Sequence, residues 1–372
     1  MQETSSARRK KRKTWGVNSE FSNLEAHWNA ARKTFRVWLE NQAANAHFVA
    51  LHDVDADGLA AGALWQRTLE RAGKKARRVV PDRERNAWSE SNRQKLAGAR
   101  PDALFCLDLG IGAQKILPGI PTCFIDHHRP DISEDEAHPG DALISGYSWN
   151  PIPNTSWMMW EIGREIAELS DLDWVGVVGT LSDLGEKAPW EQIALCKKKY
   201  GAKWLKEATV LVNAPRRSAN FAADLGARAL LEFENPKALC ESESEVVLAL
   251  REARKEVAAA LEEGKKAAPR FAGQVALIRV SSPCQIHPLI AQIWRSRLPK
   301  FIVICANDAY LPNRVNFSAR SSGNLNALDY LKNIEIAPGE GSFGNGHDQA
   351  TGGSLPASRW KELLEKMGFH KK

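Results

Sequence analysis

Four segments in the first half of the chain carry side chains that could hold a metal. His52-Asp53-Val54-Asp55-Ala56-Asp57-Gly58 comes first and Asp108-Leu109-Gly110 second. Asp126-His127-His128 is third and Asp183-Leu184-Gly185 fourth. Carboxylates gathered at one place repel each other and titrate high. A bound cation reverses that and makes the cluster favourable. Hard carboxylate oxygens with one or two imidazoles suit Mn²⁺ or Mg²⁺. Two such ions close together can clamp both the attacking and the leaving oxygen of an in-line phosphoryl displacement. The chemistry to expect is therefore metal-dependent hydrolysis of a phosphodiester bond. Each segment alone has a blander reading. An Asp behind a strand is often only a helix N-cap, and a solitary His is usually structural. Two adjacent histidines with Asp before them are rarer, and all four segments in this order rarer still.

These residues need a scaffold that brings them to one edge. Residues 47–51 form a short apolar run that predicts a strand. Residues 59–72 predict a helix stopped by Gly73, a good C′ residue. Further strands are expected at 76–80, 103–107 and 122–125. Strands alternating with helices predict an α/β fold with a mostly parallel sheet. Such sheets bind ligands beyond the carboxyl ends of their strands, where three of the four segments fall. Leu24, Trp28, Ala31, Phe35, Trp38 and Leu39 recur at helical spacing and predict an amphipathic helix laid on this domain. Residues 155–169 and 171–183 also read as helical. A long charged helix is expected over 236–268, with an apolar stripe of Val246, Leu250, Val257 and Leu261. The alternation then restarts, with strands at 275–280 and 301–305 around a helix at 288–298. A glycine-rich stretch covers 339–353. The expected organisation is a disordered basic arm (1–20), a catalytic domain (21–235), a connector helix (236–268) and a smaller α/β domain (269–372).

The bulk properties narrow the class. The chain has 372 residues, 43% hydrophobic and 26% charged, as a globular protein should. No apolar run approaches about 18 residues, so no membrane span is expected. No apolar segment follows the basic N-terminus, so no signal peptide is expected. Six cysteines are scattered without a C-x-x-C pair. That argues against a structural zinc site and a disulfide framework, and for a reducing compartment. The cytoplasm is the expected location, associated with the nucleoid in a prokaryote; the basic run also fits a nuclear address. The net charge is +6, which fits a polyanionic partner. Residues 8–13 are six consecutive positive charges. They read as a phosphate-binding arm, a nuclear address or a solubilising tail.

Asp126-His127-His128 resembles the signature of the DHH phosphoesterase superfamily. Asp53-Val54-Asp55-Ala56-Asp57-Gly58 is similar to its first motif, Asp108 to its second and Asp183 to its fourth. Phe343-Gly344-Asn345-Gly346-His347-Asp348-Gln349-Ala350-Thr351-Gly352 resembles the glycine-rich signature of the companion DHHA1 domain, with Asn345 in place of the middle glycine. Asn tolerates the left-handed conformation better than most residues. Trp149-Asn150-Pro151, Val212-Asn213-Ala214-Pro215-Arg216-Arg217, Ile286-His287-Pro288 and Phe317-Ser318-Ala319-Arg320-Ser321 resemble the RecJ-like branch of single-strand exonucleases.

The resemblance implies roles. Asp55, Asp57, Asp108, His127 and Asp183 would hold two Mn²⁺ or Mg²⁺ ions, with Asp108 bridging. His128 would contact the scissile phosphate, and Asp126 would orient the imidazoles from behind. Ser318, Arg320, Ser321, Gly346, His347 and Arg217 would grip the substrate. Some relatives carry a metal-binding His upstream of the first aspartates; here position 51 is Leu and His52 is out of register, so the expectation is that Asp53 substitutes or that one metal binds weakly. The chain ends soon after the second domain, so the additional OB-fold of many bacterial RecJ proteins is not expected. The activity implied is a 5′-to-3′ exonuclease on single-stranded DNA, with RNA as a second substrate, releasing mononucleotides. A nanoRNase or cyclic-dinucleotide phosphodiesterase would use the same chemistry on a shorter substrate. From another class, a non-catalytic scaffold bound to replication or repair proteins would be expected to lose the acidic ligands, which are retained here.

Overall fold

Phe48-Val49-Ala50-Leu51, Leu104-Phe105-Cys106-Leu107 and Cys123-Phe124-Ile125 are apolar at every position, so neither face of these strands can be left in water. All are buried. The computed structural model describes residues 19–336 and 342–370. Residues 1–18 of the predicted arm, including the basic run, lie outside them.

The first lobe runs α1 (Ser19–Glu40), β1 (His47–His52), α2 (Ala56–Arg71), β2 (Lys75–Val79), α3 (Glu90–Ala99), β3 (Ala103–Leu107), β4 (Thr122–Asp126) and β5 (Ala142–Ser145). Helices α4 (Thr155–Gly163), α5 (Asp173–Asp183), α6 (Glu191–Tyr200), α7 (Ala202–Asn213) and α8 (Asp224–Glu232) follow. The strands form one sheet in the order β2-β1-β3-β4-β5, parallel throughout. Each face carries its own core. Phe48, Ala50, Phe105 and Ile125 pack against α1, α2 and α4. Val49, Leu51, Leu104 and Phe124 pack against α3. The α1 stripe reaches that first core through Trp28, Phe35, Trp38 and Leu39. Helix α2 stops where Gly73 takes φ +74°.

The connector is not the single helix expected over 236–268. Helix α9 (Pro236–Glu241) ends, and α10 (Glu245–Gly264) begins after Ser242-Glu243-Ser244. Ser242 and Ser244 are extended, and the Ser242 hydroxyl accepts from Ser244 N at 3.1 Å. Serine hydroxyls compete in this way for backbone groups that a helix would use. Helix α10 still joins the lobes. Val246, Val247 and Leu250 enter the first core, and Val257 enters a core of the second lobe.

The second lobe is β6 (Arg270–Ala272), β7 (Val275–Val280), α11 (His287–Arg297), β8 (Ile302–Asn307), β9 (Arg314–Arg320), α12 (Ala327–Lys332), β10 (Ser342–His347), β11 (Ala350–Pro356) and α13 (Ala357–Lys366). Its sheet order is β10-β11-β9-β8-β7-β6, with only β7 and β8 parallel. Strands β10 and β11 escaped the sequence reading because glycine disfavours strands, and β9 because Asn316, Ser318 and its terminal arginines leave no continuous apolar run. Among the described residues no helix is long and apolar enough to cross a membrane.

Candidate metal centre

The β1–α2 turn carries three aspartates with three different surroundings. Asp55 is the N-cap of α2, and its Oδ1 accepts from Asp57 N and Gly58 N at 3.2 Å each. Its Oδ2 lies 3.6 Å from Arg85 and 3.9 Å from Arg216. Burial raises the Asp55 pKa, but Arg216 and Arg85 outweigh it and bring it down to about 2. Asp57 faces the N-terminus of α4. Its Oδ1 accepts from Asn154 Nδ2 at 2.5 Å and Ser156 N at 2.8 Å, and its Oδ2 from Thr155 N at 2.9 Å. Helix N-termini favour such anions. Asp53 is buried and forks onto Arg85, through Arg85 Nε to Oδ1 at 2.6 Å and Arg85 Nη2 to Oδ2. Gly58 permits this turn, since a Cβ there would lie 2.5 Å from the Asp53 carbonyl oxygen.

Asp108 ends β3 in the left-handed region, at φ +63°, where Asp is better tolerated than most side chains. Its Oδ1 accepts from Thr155 Oγ1 at 2.8 Å. His127 Nε2 lies 3.4 Å from Asp108 Oδ1, 3.8 Å from Asp183 Oδ2 and 3.9 Å from Asp57 Oδ2. His128 Nδ1 lies 3.8 Å from Asp108 Oδ1. Asp126, fully buried, accepts from His128 N at 2.6 Å and His128 Nδ1 at 2.9 Å, and from Gly110 N at 2.7 Å. The structure thus gathers Asp57, His127 and Asp183 as one group, Asp108, His127 and His128 as a second, and Asp53, Asp55 and Asp108 as a third.

This donor set fits a hard divalent ion. It is oxygen and imidazole only, with no cysteine in any group. Burial, then Asp57 and Asp55, push the Asp108 carboxyl well above the usual range. Burial and then Asp57 push Asp183 up to about 6. A divalent cation among these oxygens would reverse both shifts. His52 takes no part. Its Nδ1 donates to the Asp53 carbonyl at 2.7 Å and its Nε2 faces Arg78 at 3.3 Å. Burial and then Arg78 hold its pKa down at about 4, keeping the ring neutral.

The second lobe faces this centre across a cleft of about 540 Å³. Val315, Phe317 and Ala319 of β9 point into a core, so alternation puts Arg314, Asn316, Ser318 and Arg320 on the other face. Asp53, Arg85, Asp108 and His128 line the cleft on one side; His287, Tyr310, Arg314, Asn316 and Gly352 line it on the other. Arg320 Nη1 donates to Ser318 Oγ at 2.7 Å, and no carboxylate of the described residues pairs with Arg320. Arg217 Nη1 is buried without a hydrogen-bond partner among the described residues. Burial, then Arg217 and Arg320, push His287 down to about 3, so the imidazole sits neutral near both arginines.

None of the predicted substrate residues is among those that line the cleft; Arg217 and Arg320 lie near His287, which does line it. The Ser321 hydroxyl donates to the Leu325 carbonyl at 2.6 Å and closes a turn. Gly346 pairs with Thr351, and His347 with Ala350. Ala350 in turn pairs with Arg320, so the backbones of His347, Ala350 and Arg320 form one row. The left-handed residue of the glycine-rich segment is Gly344, at φ +69°, where the register shifts between Phe343 and Asn345. Sequence reasoning missed Arg85, Thr155, Tyr310, Arg314 and Asn316. Arg85 hides in Asp82-Arg83-Glu84-Arg85, which reads as a solvated charged loop.

No family model matches the sequence, and no curated protein does either. Solved structures do. A RecJ exonuclease bound to manganese aligns over 91% of this chain and 93% of its own, at 16% identity and a TM-score of 0.61. RecJ from Thermus thermophilus in complex with Mn²⁺ aligns over 91% of this chain, at 17% identity and a TM-score of 0.65; the chain spans only 54% of that protein. A DHH domain from a protein described as a member of a ribosomal-protein family aligns over 94% of this chain and 91% of its own, at 16% identity and a TM-score of 0.65. The chain has the fold of the RecJ and DHH-domain structures.

Proposed function

We propose that this chain is a divalent-metal-dependent phosphodiesterase, and more narrowly an exonuclease that removes mononucleotides from the 5′ end of single-stranded DNA, with RNA as a second substrate. One observation carries the reading. Asp108 and His128 of the carboxylate and imidazole cluster open into a cleft that the second lobe lines with His287 and Arg314, and Arg320, near His287, has no acidic partner among the described residues. A phosphodiester substrate needs both, a cation to meet the reacting phosphate and guanidiniums to hold its neighbours. The likeness to the RecJ structures supports the narrower terms.

Asp57, Asp108, His127 and Asp183 would hold Mn²⁺ or Mg²⁺. When bound, such ions supply charge that stabilises the phosphoryl oxygens and make water a better nucleophile. Two ions were the expectation from sequence; the carboxylates for a second are Asp53, Asp55 and Asp108, where Arg85 already sits. His128 lines the cleft with its Nδ1 on Asp126. That bond fixes the ring and favours its charged form against burial, which places His128 to donate to a phosphate oxygen. Arg217, Ser318 and Arg320 would grip a phosphate on the far side.

The test uses the purified protein with Mn²⁺. Single strands of DNA and RNA, labelled at either end, are compared with a dinucleotide and a cyclic dinucleotide. Mononucleotides should appear from the 5′ end, and chelator should stop the reaction. Full turnover in excess chelator would end the metal reading. Hydrolysis confined to the dinucleotides would keep the chemistry and replace the substrate.

A further inference from the structure

The acidic crest divides into two neighbourhoods. Asp57, Asp108, His127 and Asp183 have one another and the neutral donors of Asn154, Thr155 and Ser156, with no lysine or arginine paired to them among the described residues. Asp53 and Asp55 lie under arginines. Of the four oxygens on Asp53 and Asp55, three already hold donors. Asp53 Oδ1 accepts from Val54 N at 2.8 Å and Arg85 Nε at 2.6 Å, and its Oδ2 accepts from Arg85 Nη2. Asp55 Oδ1 caps α2. The fourth, Asp55 Oδ2, faces Arg85 and Arg216. An ion placed among these oxygens would have to displace the guanidinium from the same lone pairs.

Arg85 is not a loose surface side chain that happens to lie there. Its backbone takes φ +56°, a conformation that a non-glycine residue keeps only when its surroundings impose it. Here they do. Arg85 N donates to the Asp82 carbonyl at 3.1 Å. Asn92, fully buried, accepts from Asp82 N at 3.0 Å and donates to the Asn86 carbonyl at 2.7 Å. The loop is tied on both sides of Arg85, and its side chain is aimed at Asp53. A planar fork of donors matches a carboxylate better than an ammonium does, and it stays charged at every working pH.

We infer that Arg85 replaces one of the two divalent ions. The guanidinium neutralises Asp53 and Asp55, and the chain takes a single ion at Asp57, Asp108, His127 and Asp183. Asp108 belongs to both neighbourhoods, so it joins an ion to an arginine-held pair rather than one ion to another. Arg85 is a positioning residue in this arrangement, a fixed charge that chelators cannot remove. The inference rests on the metal reading above.

Mn²⁺ alone is the probe, followed by calorimetry for stoichiometry and by electron paramagnetic resonance for ion–ion coupling. The wild-type protein should bind one ion per chain and give the spectrum of an isolated Mn²⁺. Arg85→Asn removes the charge while keeping a residue that tolerates the left-handed backbone. It should gain a second ion, spin-coupled to the first through Asp108. Arg85→Lys, still charged, should remain at one. Two coupled ions in the wild-type protein would overturn the inference and leave the metal reading intact; that measurement needs no variant. A folded Arg85→Asn protein that still takes only one ion would also overturn it. A wild-type protein that binds no Mn²⁺ would remove both readings.

Discussion

Thr155 Oγ1 donates a 2.8 Å hydrogen bond to Asp108 Oδ1 across the gap between β3 and α4. The same residue's N–H donates to Asp57 Oδ2 at 2.9 Å. One threonine at a helix N-terminus therefore sets the spacing of two carboxylates that would share the ion proposed above. Thr155→Val keeps the shape and the N–H but removes the hydroxyl. Groups that orient a ligand from behind typically matter by about 10–100-fold in metal affinity. Mn²⁺ affinity measured by calorimetry should fall within that range, and Thr155→Ser should restore most of it. Equal affinity in wild type and Thr155→Val would show that Asp108 is positioned without the hydroxyl.

Asp108→Asn should separate activity from stability. Asn suits the left-handed backbone at this position, so the change tests charge rather than conformation. Burial, Asp57 and Asp55 raise the Asp108 pKa in the folded chain. A carboxyl raised above its unfolded value destabilises the fold at every pH where the unfolded chain would ionise it. In chelator at neutral pH the variant should therefore melt higher than wild type. With Mn²⁺ the order should reverse, because only wild type gains the full binding energy. Hydrolysis should drop by at least about 100-fold, roughly 3 kcal/mol of transition-state stabilisation. Melting curves with and without Mn²⁺ read the first effect, and turnover reads the second.

The crest was legible because parallel strands bury both faces and leave their carboxyl ends for chemistry. Asp108 and Asp126 each sit at a strand end, and no pattern of contacts was needed to foresee it. Arg85 was not legible. Its role depends on a turn closed by Asn92, which lies seven positions away and fixes a backbone angle that no local composition signals. Thr155 looked like an ordinary first residue of a helix, and only the packing of α4 on α2 turns its hydroxyl toward Asp108. The second lobe was half-read. β7 and β8 carry continuous apolar runs, but β9 and β11 present serine, glycine and arginine to the cleft. Their strand conformation comes from neighbours in the sheet rather than from propensity. The break at Ser242 and Ser244 lay within a stretch whose charge pattern alone reads as continuous helix.

His287 should steepen the acid limb of stability. Burial comes first among the causes, then Arg217 and Arg320, and together they bring its folded pKa to about 3. The unfolded value is near 6.5. A His depressed in the folded state leaves the unfolded chain binding more protons, so stability rises with pH. Its contribution is complete above about pH 6.5 and is lost as pH falls toward 3. His52 acts in the same direction, with a folded value of about 4. His287→Gln keeps a neutral polar group in place and should flatten the dependence of melting temperature on pH between these limits, measured in chelator. Parallel curves for variant and wild type would mean that water reaches His287 and relieves its burial.

Arg320→Ala should change which substrate end is preferred while sparing the metal. Arg320 sits in β9, the Ser318 hydroxyl at 2.7 Å its nearest side-chain partner, and the backbone of His347 lies in the same row of the sheet. Burial and then Arg295 lower its pKa, so the guanidinium is partly desolvated beside another cation. An arginine in that state gains most from an anionic ligand, since charge-assisted bonds to phosphate are about twice as strong as neutral ones. If the enzyme works from a 5′ end, the terminal phosphate is the group to seat there. The variant should lose most of its preference for 5′-phosphorylated over 5′-hydroxyl strands. The preference is a ratio of rates on two substrates that differ only at the end, so any general loss of stability cancels. Mn²⁺ affinity should stay at the wild-type value, because Arg320 donates to Ser318 Oγ and to the Ala319 and Thr351 carbonyls and not to any candidate metal ligand. An unchanged ratio in a folded variant would move end recognition to Arg217, whose Nη1 is buried without a partner among the described residues. A wild-type enzyme indifferent to the 5′ group would count against end recognition altogether, and with it against the exonuclease reading in favour of short substrates.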